Sequence, residues 1–305
     1  MPILLGPVAS LLLVLVLAPA LPGIANRVKS ALTGRRGAPV LQLYADLARL
    51  WRKGVVYSRT TTLVFRVAPV VVLATVLLAA LLLPLDGRAA LLGFPGDLVA
   101  FAGLLALGRF ALVLAALDTG SSFEGMGASR EATIAAFAEP ALLLCFTVLV
   151  LATGEQQLSA MLGRPLAAAW VPGAPSLVLA AASLFVVTLA ETCRVPVDDP
   201  LTHLELTMVH EVMVLDHSGP DLALILYAGA LKLALFASLI VALLLPRAPE
   251  SRGLALALLV LGLLAVAAVI GVVESLLARL RLNRVPQLLV AACALAGFAL
   301  ILQLS

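Results

Sequence analysis

Five ionisable side chains stand inside runs of apolar residues: Arg109, Glu139, Glu191, Lys232 and Glu274. A lone charge at the centre of a bilayer costs roughly 2.5–3.5 kcal/mol on insertion scales. A sequence keeps one there only with a partner, a water-filled space or a neutral form. Glu139 precedes Pro140. The missing N–H of that proline frees a backbone carbonyl one turn earlier and can admit water into a helix. Such groups, alternating with waters, can hand protons along because burial disfavours the charged form of each. The expectation is a lateral proton path containing Glu139, Glu191, Glu274, Lys232 and Arg109. The plainer alternative is buried ion pairs that only hold helices together.

The densest polar chemistry lies in residues 191–221. Seven carboxylates (Glu191, Asp198, Asp199, Glu205, Glu211, Asp216 and Asp221) face one cation, Arg194, and the same stretch holds all three histidines. An acidic loop of this kind suggests a docking face or a site. Metal chemistry is not expected from it. His210-Glu211 begins like the zinc motif HExxH, but position 214 is Val214. His203, His210 and His217 are spaced seven apart, which is about 10.5 Å of helical rise and too far for two imidazoles to share one zinc ion. The reading is a histidine stripe on one helix face, solvated or turned to a partner, with pH sensing or proton relay as the alternative role. Cys145, Cys193 and Cys293 form no CxxC pair. Clustered thiolates for an iron–sulfur or zinc site are therefore missing, and single membrane-embedded thiols are expected.

The elements that must position these groups follow from composition. The 305 residues are 63% hydrophobic and 12% charged, with a mean hydropathy of +1.14, whereas soluble domains carry about 25% charged residues. Lipid is the main solvent of such a chain, and nucleic acid is not an expected partner. Spans of ~20 apolar residues recur eight times, near 3–25, 62–84, 97–117, 132–153, 174–193, 221–246, 253–278 and 285–304. The chain reads as an all-α polytopic membrane protein, a single membrane domain over 1–305. Its first run lacks the basic start of a signal peptide and is kept as a span. With the loop after that span on the cytoplasmic side, thirteen Lys and Arg fall in inside loops and four in outside loops. The bias places both termini on the outer face of the cytoplasmic membrane and the 191–221 loop inside.

Residues 38–53 are too short and too charged to span. Val40, Leu43, Tyr44, Leu47, Leu50 and Trp51 recur at helical spacing, while Gln42, Asp46, Arg49, Arg52 and Lys53 take other positions. This is an amphipathic helix opened by Pro39, expected to lie along the cytoplasmic interface with Gln42 and Asp46 on its polar face. No internal repeat is visible, which weakens a stand-alone secondary transporter reading.

The run Glu191-Thr-Cys-Arg-Val-Pro-Val-Asp-Asp-Pro200, followed by Glu205-Leu206 and Asp216-His-Ser-Gly219, resembles the signature of the respiratory chain subunit 1 family of complex I, the NADH-quinone oxidoreductase. Glu191, Arg194, Pro196, Asp198, Pro200 and Glu205 fall on matching positions. Residues 196–219 are closer still to the formate hydrogenlyase subunit 4 branch, found with membrane-bound nickel–iron hydrogenases. Gly34 to Gly37, Gln42 to Asp46, Gly125 to Glu131, Ala138 to Ala141, Glu274, Arg279 to Arg281 and Val285-Pro286 also look like family segments, so the resemblance covers essentially the whole chain.

The resemblance implies a junction subunit with no redox cofactor of its own. Its partners would be a hydrogenase-like large subunit with a nickel–iron site, a small subunit with iron–sulfur clusters, and antiporter-like membrane subunits. It implies that Glu139 and Glu191 belong to an intramembrane proton or sodium path. Arg194, Asp198, Asp199, His203, Glu205, Glu211 and Asp216 would form the loop beneath the peripheral arm. Val197, Asp199, Leu201 and His203 depart from the complex I pattern where that family lines a quinone chamber. The departures follow the hydrogenase branch and put quinone binding in doubt; a quinone- or ferredoxin-linked complex is the alternative.

Overall fold

A computed structural model describes residues 2–87, 89–198, 208–245 and 251–305, with side chains from residue 6 onward. Every regular element among the described residues is helical. In chain order these are α1 (Pro2–Leu17), α2 (Ala20–Leu32), α3 (Gln42–Leu50), α4 (Leu63–Leu82), α5 (Asp97–Asp118), α6 (Ser122–Thr153) and the short α7 (Leu158–Met161). Then follow α8 (Arg164–Glu191), α9 (Gly219–Leu244), α10 (Arg252–Leu276) and α11 (Val285–Leu304). Among the described residues, seven helices are long and apolar enough to cross a membrane, and the bent pair α1–α2 brings the number to as many as eight.

Three expected spans differ from what is found. Residues 3–25 do not form one helix: α1 and α2 meet at a 47° bend. Pro19 at the break and Pro22 in the first turn of α2 cannot donate into a continuous ladder. The span read as 132–153 is the C-terminal part of α6, which begins at Ser122. Its 32 residues make a rod of about 48 Å against a hydrocarbon layer of about 30 Å. Glu124, Arg130 and Glu131 depress hydropathy over its first turns without breaking the helix. The span read as 174–193 likewise starts earlier, at Arg164, and is kinked at Gly173 between Pro172 and Pro175. The amphipathic stretch 38–53 is helical over Gln42–Leu50, with no fully buried residue, and Trp51 is exposed just past its end. Tyr44 donates its hydroxyl to the Val16 carbonyl, tying α3 to α1. A Cβ at Gly23 would meet the Val40 carbonyl oxygen at 2.0 Å, so only glycine lets the segment before α3 lie this close on α2.

The bundle is built around α9, the most buried span. It contacts α4, α8, α10, α3, α1 and α2, while α6, α8 and α11 form a second packed group and α5 bridges α4 to α6. The main apolar core includes Phe101, Phe146, Leu166, Leu184, Leu231 and Phe236, all essentially without exposure.

Candidate functional site

Arg109, at mid-length of α5, is the centre of the largest charge cluster. Its Nε lies 3.3 Å from Glu131 Oε1 on α6, one terminal nitrogen contacts Glu139 on the same helix, and the other contacts Glu191 at the end of α8. Lys232 on α9 places Nζ 2.6 Å from Glu191 Oε2. Four helices thus converge on two cations and three carboxylates. Glu131 and Glu139 lie two turns apart, about 12 Å along α6, and the planar guanidinium fork can reach both and Glu191 at once, which an ammonium could not. Burial is uneven. The Glu131 and Glu191 side chains are almost wholly enclosed, whereas that of Glu139 is 42% exposed on the lateral surface of the bundle.

A cavity of about 240 Å³ adjoins this cluster. Arg109, Glu131, Glu191 and Lys232 line it from the membrane helices; Cys193, Arg194, Asp198, His210 and Glu211 line it from the loop. Pro22 of α2 and Leu43 of α3 also line it. Of the expected path, Glu139, Glu191, Arg109 and Lys232 are brought together. Glu274 on α10 is not in this group. It pairs with Arg194 at 3.4 Å and with Lys29 of α2 at 3.6 Å, and its link to the cavity runs through Arg194.

The loop after α8 is held by its own carboxylates. Helix α8 closes in a Schellman motif: Arg194 N–H donates to the Leu189 carbonyl and Cys193 N–H to that of Ala190. Cys193 takes the αL position of this cap, with φ 52°, where glycine is the usual residue. Asp198 is buried. It pairs with Arg279 at 2.7 Å and accepts from the Val209 and His210 N–H groups at 3.1 and 3.3 Å, so it staples the two described arms of the loop together. Arg130 donates to the Met208 carbonyl at 2.8 Å, and Glu124 accepts from the Asp216 N–H at 3.1 Å. Asp221 accepts from Tyr57 Oη at 2.8 Å. Glu211 lines the cavity and Asp216 is exposed. Gln42 and Arg49 both contact Asp46, at 3.0 and 2.6 Å, within one face of α3. Asp199, His203 and Glu205 lie outside the described residues.

The loop closes on α6 where α6 has no side chain. A Cβ at Gly127 would fall 2.3 Å from Val212 Cγ1 and 3.0 Å from the Val209 carbonyl oxygen. Gly127→Ala is expected to lift this arm at about 1–3 kcal/mol, the usual penalty of overpacking. Faster hydrogen exchange of residues 208–217, with α4 and α5 unchanged, is the signature. Equal exchange in parent and variant would refute the contact.

Of the expected histidine stripe, His203 lies outside the described residues, and His210 and His217 do not share a helix face. Residues 208–218 hold only a short 3-10 turn, Glu211–Val214, so seven-residue spacing does not align side chains there. His210 faces the cavity. His217 is buried and stacks on Phe65, ring centroids 3.9 Å apart and planes at 6°. Burial pulls the His217 pKa down to about 4 against the pull of Asp221 and Asp216. It is neutral near pH 7 and is a packing residue rather than a solvated one. Cys193 stands just past the end of α8, where burial pushes its thiol well above its ordinary range.

Sequence reasoning did not select Glu131, Cys193 or His210 as a group, yet an oxygen, a sulfur and a nitrogen from these residues lie within 4.8 Å of one another. Glu131 fell at the edge of an expected span, and its approach to Cys193 depends on the helix-end geometry of α8. The available signal for Glu131 was its placement two turns before Glu139 on a single helix.

The family model for NADH dehydrogenase matches residues 6–304. Hydrogenase-4 component C of Escherichia coli (strain K12) is 35% identical over 78% of this chain and 74% of its own length. Formate hydrogenlyase subunit 4 of the same organism is 32% identical over 93% of each chain. A chain of the membrane-bound sulfane sulfur reductase, an archaeal respiratory membrane complex, superposes with a TM-score of 0.83. It is covered completely, over 99% of this chain, at 18% identity, and so shares the fold. From the match over nearly its whole length, the chain belongs to the NADH dehydrogenase family of membrane proteins, with hydrogenase components among its relatives.

Proposed function

We propose that this chain is the membrane junction subunit of a complex I-like membrane-bound hydrogenase or formate hydrogenlyase-type complex. It anchors the peripheral redox arm over the 191–221 loop and passes protons, or sodium ions, sideways to a neighbouring membrane subunit. The observation that carries this reading is Arg109, which joins the cavity-facing Glu131 and Glu191 to the half-exposed Glu139. Glu139 stands near the middle of α6, where a polar group facing lipid is costly. A polar neighbour covering that surface would remove the cost. Two cations face three carboxylates, so one proton or one monovalent cation neutralises the cluster, which is what a loading site needs. The cavity of about 240 Å³ has room for several waters beside the charged groups that could hold them.

In this reading the subunit binds no redox cofactor. The nickel–iron site belongs to a hydrogenase-like large subunit and the iron–sulfur clusters to a small subunit, both docked on the cytoplasmic side. Antiporter-like subunits lie beside Glu139 in the inner membrane, and both chain termini face outward.

The test is purification from native membranes in mild detergent. A large subunit carrying two Cys-x-x-Cys pairs is expected to co-purify in constant ratio. A chain that runs alone and transports a solute when reconstituted alone would overturn the assignment.

A further inference from the structure

We infer that Glu131, Cys193 and His210 form a binding site for one thiophilic divalent cation of the zinc class. The triad gives one carboxylate oxygen, one sulfur and one imidazole nitrogen within 4.8 Å of one another. Tetrahedral zinc, with bonds of 2.0–2.3 Å, holds its ligand atoms about 3.5 Å apart. Closing the triad therefore needs contraction by about 1 Å. Glu131 sits on α6, and Cys193 and His210 lie outside the regular helices, so rotation of the three side chains would supply the contraction. The ligand types select the ion. Calcium and magnesium favour oxygen shells, whereas a mixed sulfur, nitrogen and oxygen set suits zinc.

Four further features fit a cation rather than an accidental cluster. Glu131 belongs to the charge cluster, and all three residues line the cavity, which leaves a fourth position open to water, as in zinc sites with three protein ligands. Arg109 contacts Glu131 Oε1 at 3.3 Å and fixes that carboxylate, the outer hold that metal ligands usually have. The two cations and three carboxylates around Arg109 leave one negative charge over, so a divalent ion with a Cys193 thiolate brings the group to neutrality. Cys193 also occupies an αL cap position that glycine fills more cheaply. A cation held here would tie the loop, through His210, to two membrane helices, through Glu131 and Cys193. The site does not rest on the chain being a junction subunit.

Cadmium is the probe, because its thiolate complexes absorb in the ultraviolet. The full chain in lipid nanodiscs is titrated with Cd²⁺ and the metal retained after gel filtration is counted. One equivalent with a thiolate-to-cadmium band is expected, displaced by Zn²⁺. Cys193→Ser should remove the band. His210→Gln and Glu131→Gln should each weaken binding by more than the roughly 10–100-fold that loss of an outer partner costs. Cys193→Gly serves where serine disturbs folding, because glycine suits the cap. Independently of any variant, Zn²⁺ should slow alkylation of Cys193 in the parent chain, located by peptide mapping, and leave Cys145 and Cys293 unaffected. A band that survives in Cys193→Ser, a parent chain without a band, or unchanged alkylation of Cys193 would each overturn the site. Failure of the co-purification test would leave these outcomes unaltered.

Discussion

Arg109→Met is expected to be the most damaging single substitution in the chain. The methionine fits the volume of the stem but leaves Glu131, Glu139 and Glu191 with Lys232 as the only described cation among them. At an effective dielectric near 20, opposite charges at 4 Å attract by about 4 kcal/mol. Desolvation of the ions offsets much of this in the intact cluster. Removing the cation alone strands its partners, and breaking a buried pair from one side costs about 3–5 kcal/mol. For a native stability of 5–15 kcal/mol that is a large share. The folded yield in detergent and the unfolding temperature should both drop. Arg109→Met combined with Glu191→Gln should recover part of the loss, because charge is then removed from both sides and the two effects are not additive. Arg109→Lys keeps the charge but loses the fork that spans three carboxylates, and should fall between parent and methionine. A methionine variant as stable as the parent would mean that the carboxylates are already neutral and that the ion-pair description is wrong.

The membrane architecture was legible in the sequence because it rests on a strong local quantity, the length of apolar runs. Where it was misread, a local quantity had been asked to report a nonlocal one. Glu124, Arg130 and Glu131 look like a loop by hydropathy, yet α6 runs straight through them since helix propensity does not require burial on every turn. Pro19 and Pro22 lie in an apolar run that satisfies any span criterion, and the 47° bend appears only where backbone hydrogen bonds are counted. The single charges within spans drew attention one by one. That four of them share one cluster while Glu274 pairs elsewhere depends on the rotation of α5, α6, α8, α9 and α10 about their axes, which their weak amphipathic pattern does not fix. The acidic loop is a sharper case. Its surplus of carboxylates suggested a docking face or a site, and of those described, buried Asp198 accepts from the Val209 N–H and pairs with Arg279 while Asp221 accepts from Tyr57, so these two make internal contacts. Composition counts charges; it does not say which way they turn.

Glu139→Gln separates a proton carrier from a structural anchor, and its expected effect is confined to coupling. The side chain is 42% exposed and contacts Arg109 from one side only, so glutamine keeps the volume and a hydrogen-bond acceptor toward the guanidinium while removing the carboxylate that could carry a proton. Assembly and unfolding temperature should stay close to the parent, since the pair is partly open and Glu131 and Glu191 still hold Arg109. Proton uptake coupled to turnover, followed in proteoliposomes of the intact complex, should fall by about a hundredfold, the lower range for losing a group that takes part directly in proton transfer. Glu139→Asp keeps the proton on a shorter arm and should retain part of the flux. The contrast with Arg109→Met is what makes the pair informative: one variant is expected to lose stability, the other function. If Glu139→Gln pumps like the parent, the lateral exit does not run through this residue, and the exposed face of α6 is a surface for helix contact alone. If instead it unfolds as Arg109→Met does, Glu139 belongs to the scaffold that holds Arg109 in place.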